Sequence, residues 1–228
     1  ISAGIDTLIF VTGRNKRAIE DHFDSNYELE AALRKAEKND KADMVRNIIP
    51  EGIQCIFVRQ SEQLGLGHAV LCAERAVGKE PFAVLLADDF ITDYKKSVTA
   101  SLIEAFLTSG KSQLSIMKVD GPEISKYGVV TQSKAKESIS GLVEKPKYRD
   151  APSNLASIGR YVLTPDIFDI LREIPKGSED EIQLVDAINS QAQNGAVDTV
   201  ILEGTRFDCG SIEGFMSAIT HEYKKKVN

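Results

Sequence analysis

The run Phe82-Ala83-Val84-Leu85-Leu86-Ala87-Asp88-Asp89 constrains the fold more than any other stretch of the chain. Its apolar residues include no turn former and read as a strand buried on both faces, the habit of a central strand in a parallel sheet. The run then ends in two adjacent carboxylates, which a continuing buried strand does not tolerate unpaired. Open α/β sheets bind ligands at the carboxyl ends of their strands. An acidic strand end is therefore a candidate metal or phosphate-handling site. The competing reading is a solvated acidic turn in which Asp89 caps the next element, and this stretch alone leaves both open.

The pattern on either side fits an α/β chain. Residues 7–12 read as a strand and 15–23 as a helix with Ala18, Ile19 and Phe23 on one face. Residues 27–49 stay helical, with Leu29, Ala32, Leu33 and Ala36 at helical spacing, a break near Asn39-Asp40, and a stop at Pro50-Glu51-Gly52. Residues 27–52 are thus a helical insertion between strands, read as a packing arm or an oligomer contact. A strand at 53–58 and a helix at 68–77 lead to the Phe82 run. Strand, helix, strand, helix, strand with short links predicts a parallel sheet with right-handed crossovers. A helix at 97–108 and a strand at 113–119 follow. Short strands at 127–130, 141–145 and 158–163 predict a more antiparallel section. Helices at 165–172, 182–191 and 213–226, with a strand at 199–202, complete an α/β fold: a mostly parallel mixed sheet flanked by helices. With no repeat or linker-like tract, residues 1–228 read as one domain. The opening Ile1-Ser2-Ala3-Gly4-Ile5 resembles the end of a helix entering a second strand, so a further N-terminal element is expected.

Composition narrows the function classes. A net charge of −6 argues against a nucleic-acid platform, yet leaves room for small phosphorylated ligands held by a few local groups. Cys55, Cys72 and Cys209 lack metal-ligand spacing and cannot all pair, which suits a reducing cytoplasm. No apolar run is long enough for a membrane-spanning helix. His22, His68 and His221 are isolated and give no zinc pattern. A Gly-x-Ser-x-Gly elbow is absent, so acyl transfer has no support.

Three further stretches carry candidate chemistry. Gly65-Leu66-Gly67 precedes a helix but lacks the third glycine of a dinucleotide fingerprint, Val70 standing there instead. Gly65 and Gly67 still permit close backbone approach to a ligand, and Gln60 offers a two-sided amide contact to a base edge; an ordinary flexible loop is the alternative. Asp208, in Phe207-Asp208-Cys209-Gly210, is a second strand-end acid. Together with Asp88 it suits Mg²⁺, which takes one or two carboxylates plus substrate phosphates, unless Asp208 is simply a helix N-cap. In Val143-Glu144-Lys145-Pro146, either a plain edge strand is present, or Glu144 accepts sugar hydroxyls while Lys145 neutralises a phosphate.

Taken in order, several of these stretches resemble bacterial UTP–glucose-1-phosphate uridylyltransferases over essentially the whole chain. The carriers are Val11-Thr12-Gly13-Arg14-Asn15-Lys16-Arg17-Ala18-Ile19-Glu20-Asp21-His22-Phe23-Asp24, Arg59-Gln60 through Leu64-Gly65-Leu66-Gly67-His68-Ala69-Val70, and Leu86-Ala87-Asp88-Asp89. Tyr127-Gly128-Val129-Val130, Val143-Glu144-Lys145-Pro146, Glu181-Ile182-Gln183-Leu184-Val185-Asp186-Ala187-Ile188 and Phe207-Asp208-Cys209-Gly210 continue the match. The resemblance implies a Rossmann-like nucleotidyltransferase fold and uridylyl transfer from UTP to glucose 1-phosphate. It implies that Gln60 and Gly65 read the uracil and that Asp88 and Asp208 hold Mg²⁺. Gly128, Glu144 and Lys145 would hold the sugar phosphate, with Asp88, Lys145 and Asp208 as the catalytic set. A homodimer or homotetramer is expected. The alternatives are a sister enzyme using dTTP, or a non-catalytic homologue that only binds sugar nucleotides. The family's glycine-rich triphosphate loop would lie upstream of Ile1, and without it the chain is expected to have little activity.

Overall fold

The computed structural model describes residues 1–133, 138–177 and 180–227. Strand β1 (Thr7–Thr12) leads to helix α1 (Arg17–Phe23), whose Phe23 ring lies 4.7 Å from that of Phe10. Helices α2 (Tyr27–Lys35) and α3 (Asn39–Arg46) pack on each other; Asn26 caps α2 by accepting from the Leu29 N–H. The break between them falls at Glu37, which takes φ +57°, slightly before the expected Asn39-Asp40. Asn39 instead opens α3. Next come β2 (Gln54–Arg59), α4 (Gly65–Cys72), α5 (Glu74–Val77), β3 (Phe82–Leu85) and β4 (Asp89–Thr92). Helix α6 (Val98–Ser109) is capped by Ser97, whose Oγ accepts from the Ala100 N–H, and ends at left-handed Gly110. Then follow β5 (Ser112–Lys118), β6 (Gly128–Gln132), β7 (Ile139–Glu144) and β8 (Leu155–Leu163). Helices α7 (Ile167–Glu173) and α8 (Leu184–Gln193), strands β9 (Val197–Ile201) and β10 (Thr205–Asp208), and helix α9 (Ile212–Val227) close the chain. None of the described helices is long and apolar enough to cross a membrane.

The sheet is organised around β8, not around the Phe82 run. β8 pairs antiparallel with β5 on one edge and with both β3 and β6 on the other, while β9 extends the sheet parallel to β5 and β7 extends it from β6. β3, β5, β6 and β9 thus share one direction, and β7 and β8 oppose them. The fold is α/β with a mixed sheet, as expected, and the 127–163 strands belong to the main sheet. Two expectations fail. The Phe82–Asp89 run is not one buried central strand: β3 stops at Leu85, which is 52 % exposed, and β4 turns away to pair with β10. Nor do the first three strands form one parallel sheet, since β1 and β2 pair only with each other while β3 joins β8. The reason is positional. β3 and β6 share one edge of β8, against Arg160–Leu163 and at Ala156 respectively, and the chain leaves β3 in the interval between them.

The core covers both faces of β8. Tyr161 and Leu163 join Leu114, Ile116, Phe168, Leu171, Leu184 and Ile188 beneath α7 and α8, and the Phe82 and Phe168 rings stack at 5.0 Å. Val162 points the other way, to Leu102 and Val98 of α6. Burial holds the Tyr161 phenol up at about 12, so it stays neutral.

Helix α9 is anchored to the end of β4 by ions. His221 Nε2 lies 2.6 Å from Asp93 Oδ2, Lys225 pairs with Asp93 and Glu222, and Thr92 Oγ1 donates to Glu222 Oε1. The Asp93 carboxyl is pulled down to about 2, chiefly by Lys225 and then by Thr205 and His221. A lowered folded value means that its stabilisation is complete above its ordinary 3.8 and is lost as pH falls through about 2. Asp93→Asn is therefore expected to lower the urea midpoint at neutral pH, with the gap to wild type closing as pH falls from 3.8 to 2; a gap independent of pH contradicts this anchor.

Candidate active site

The turn that leaves β3 is gripped from two sides. Leu86 donates its N–H to the Gly159 carbonyl at 2.9 Å, and Gly159 donates to Asp89 Oδ2. A Cβ on Gly159 would sit 2.6 Å from both that oxygen and Leu86 Cβ, so only glycine fits here. Arg160 donates to the Leu86 and Asp89 carbonyls at 2.9 and 2.6 Å. Burial lowers the Arg160 pKa below its ordinary value, against the opposing pull of Asp89 and Asp88. Asp89 itself is only 4 % exposed and takes the Arg206 Nε–H at 2.6 Å on Oδ1, which Nη2 also reaches. The two adjacent acids therefore separate by role. Asp89 begins β4 as a buried ion-pair partner and caps nothing; Asp88 stays exposed.

Pairing of β4 with β10 sets Asp208 opposite Asp89, and the Cys209 N–H donates to the Asp88 carbonyl at 2.7 Å. The two exposed carboxylates meet across Gly210. A Cβ there would lie 3.0 Å from Asp88 Oδ2 and 3.1 Å from Asp208 Oδ1, which holds those oxygens no more than 6.1 Å apart. Helix capping does not occupy Asp208. The cap of α9 is Ser211, whose Oγ accepts from the Gly214 N–H and donates to the Asp208 carbonyl. No group of three or more His, Cys, Asp or Glu is arranged to hold a metal ion by itself among the described residues. A pair of hard oxygen donors facing solvent is nevertheless the donor set that suits Mg²⁺, whose other positions go to water and substrate phosphate.

The second cluster starts where β6 begins. Gly128 stands opposite Glu144 in the β6–β7 register, and a Cβ on Gly128 would lie 3.1 Å from Glu144 Oε2. Lys145 follows the end of β7 at φ +43° and donates its N–H to the Tyr127 carbonyl at 3.0 Å. This left-handed turn breaks the strand alternation and brings Lys145 Nζ to 3.9 Å from Glu144 Oε1, both side chains remaining exposed. One ammonium and one carboxylate thus share the side that the strand pattern left open.

Gln60 and Gly65 are also brought together: Gln60 Nε2 donates to the Gly65 carbonyl at 3.0 Å and lies 3.1 Å from His68 Nδ1. The two glycines answer a packing need. Gly65, at φ +90°, faces Glu181 and the Ile182 carbonyl, and Gly67 donates its N–H to that carbonyl at 2.8 Å. A Cβ on Gly67 would lie 2.7 Å from it. The space a ligand was expected to approach at these two Cα atoms is filled by the 181–182 segment.

No role was read from the sequence for Arg160, Gly159, Tyr127 or Arg206, although Tyr127 opens one of the resembling stretches. Of these, only Arg206 left a signal, a cation two residues before Asp208 on the same strand face. Gly159→Ala is expected to cost about 1–3 kcal/mol by forcing the turn off β8. Urea unfolding checks this, and an unchanged midpoint removes the close contact.

Comparisons with known proteins identify the family. A family model described as nucleotidyl transferase matches residues 1–225. A UTP–glucose-1-phosphate uridylyltransferase of Pseudomonas aeruginosa is 43% identical over 230 residues, covering 98% of this chain and 81% of the relative. A solved UTP-bound UGPase from Acinetobacter baumannii superposes with TM-score 0.90 at 36% identity, covering 99% of this chain and 83% of that one. A UDP-glucose pyrophosphorylase complexed with UDP-glucose gives TM-score 0.86 at 42% identity, covering 98% and 83%. The chain therefore belongs to the nucleotidyl transferase family and, within it, to the UTP–glucose-1-phosphate uridylyltransferases.

Proposed function

We propose that the chain transfers the uridylyl group of UTP to glucose 1-phosphate, giving UDP-glucose and pyrophosphate. The observation that carries this reading is the gap between β3 and β6 beside β8. It places the Asp88–Asp208 carboxylates on one side, and Gly128, Glu144 and Lys145 begin on the other. A phosphate oxygen of glucose 1-phosphate attacks the α-phosphorus of UTP; that bond forms as the α–β phosphoanhydride breaks and pyrophosphate leaves. Two polyanions must meet, so alignment and charge neutralisation do the work and no covalent nucleophile is required. Lys145 neutralises the sugar phosphate, and Glu144 accepts hydroxyls of the glucose ring. Gln60 orients the uracil through its amide, and Gly65, whose Cα is packed against the 181–182 segment, contributes by holding that amide in place through its carbonyl. Mg²⁺, held by Asp88 and Asp208, would supply charge neutralisation at the phosphates when bound.

Self-association as a homodimer or homotetramer belongs to the same proposal. What supports it is the exposure of Tyr27, Leu29 and Met44 on the α2–α3 insertion. A reducing cytoplasm suits three unpaired cysteines, Cys55, Cys72 and Cys209.

Pyrophosphate release from UTP plus glucose 1-phosphate with Mg²⁺, measured on the intact protein, tests the reading. Asp208→Asn is expected to cut kcat about 100-fold or more, in the range of a lost electrostatic stabiliser, while keeping the fold. Lys145→Ala is expected to raise KM for glucose 1-phosphate without changing KM for UTP. Near-normal turnover of the first variant, or an unchanged glucose 1-phosphate dependence of the second, removes that residue from its role.

A further inference from the structure

One guanidinium links the neighbours of the Asp88–Asp208 pair to those of the Gly128–Lys145 cluster. Arg206 is 11 % exposed in its side chain, stands two residues before Asp208 on β10, and binds Asp89, the residue after Asp88. Its Nη1 donates to the Tyr127 hydroxyl at 3.1 Å, and its guanidinium carbon lies 5.2 Å from the centre of the Tyr127 ring. Tyr127 directly precedes Gly128, and its carbonyl receives the Lys145 N–H. Both arms of Arg206 therefore end on side chains, those of Asp89 and Tyr127, whose own backbone carries or holds the functional residues. The Asp89 arm fixes the β4–β10 pairing across which Asp88 and Asp208 meet. The Tyr127 arm fixes the turn from which Lys145 projects.

We propose that Arg206 is a positioning residue that sets the Asp88–Asp208 carboxylate pair and the Lys145 ammonium at one fixed separation, so that metal binding and sugar-phosphate binding are tuned by the same side chain. This rests on the uridylyl-transfer reading above. Arg206 reaches neither substrate nor metal in this role; it acts through Asp89 and Tyr127. Its forked geometry matters as much as its charge, because one planar group serves a carboxylate and a phenol in different directions. Lysine keeps the charge beside Asp89 but cannot serve both.

The test uses Arg206→Lys and Tyr127→Phe in the intact protein. Three quantities are read: the Mn²⁺ dissociation constant by electron paramagnetic resonance without substrates, KM for glucose 1-phosphate, and the thermal midpoint. Arg206→Lys is expected to weaken Mn²⁺ binding about 10-fold, as lost outer-shell partners of metal ligands do, and to raise KM for glucose 1-phosphate at a near wild-type midpoint. Tyr127→Phe cuts one arm only: KM for glucose 1-phosphate rises several-fold and Mn²⁺ affinity stays put. The proposal is overturned if Arg206→Lys leaves both constants within about twofold of wild type, which is less than a displaced ligand pair produces. It is equally overturned if Tyr127→Phe leaves KM for glucose 1-phosphate unchanged, a result that stands even should Arg206→Lys fail to fold. A wild-type protein that neither binds Mn²⁺ nor releases pyrophosphate refutes the functional reading itself, whereas a competent wild type with unmoved variants refutes only the role of Arg206.

Discussion

The Asp89–Arg206 pair is the contact on which the rest of this site depends. A carboxylate 4 % exposed is tolerable only with a charged partner and filled lone pairs, and Asp89 has both: Arg206 on Oδ1 and the Gly159 N–H on Oδ2. Removing one member of such a pair typically costs about 3–5 kcal/mol, because the survivor is left buried and uncompensated. The exposed ion pairs on α2 and α3, Arg34 with Glu30 and Asp43, are worth far less. The most buried ion pair among the described residues thus sits where the backbone turns out of the sheet. What that turn presents, Asp88 beside Asp208, is left free of comparable partners and facing solvent.

The same turn explains why the site sits where it does. A strand edge shared by two short strands leaves an interval, and at β8 that interval falls at Ala156–Arg160. Gly159 lets the departing chain lie against β8, and Arg160 holds its carbonyls. β3 ends on one side of the interval and β6 begins on the other, so residues far apart in sequence reach one place. The groups proposed to hold metal and sugar phosphate, Asp88, Asp208, Glu144 and Lys145, are exposed side chains at or beside strand ends. The buried polar groups beneath them fix geometry.

Much of this was legible beforehand, for identifiable reasons. Strand β1, helix α6 and the α2–α3 pair follow from local periodicity, which needs no distant partner. Asp88 and Asp208 stood out as candidates because acids at apolar strand ends are costly when buried, and both are exposed and meet at Gly210. The Phe82 run misled because hydrophobicity says that a strand is buried but not which strand lies beside it. β8 was under-read for the converse reason: Ser157, Gly159 and Arg160 interrupt its apolar pattern, yet Gly159 and Arg160 are the residues that receive the turn. Arg206 lies 117 residues from Asp89, and no local rule links them.

The most direct measurement is a double-mutant cycle, Asp89→Asn and Arg206→Gln, read on the Mn²⁺ dissociation constant of the intact protein. Neither residue is a proposed ligand of the ion. If the pair acts as one clamp on Asp88 and Asp208, each single change weakens Mn²⁺ binding about 10-fold and the double change is no worse than either. Effects that multiply, or single changes that leave the affinity alone, contradict the claim that this buried pair sets the site.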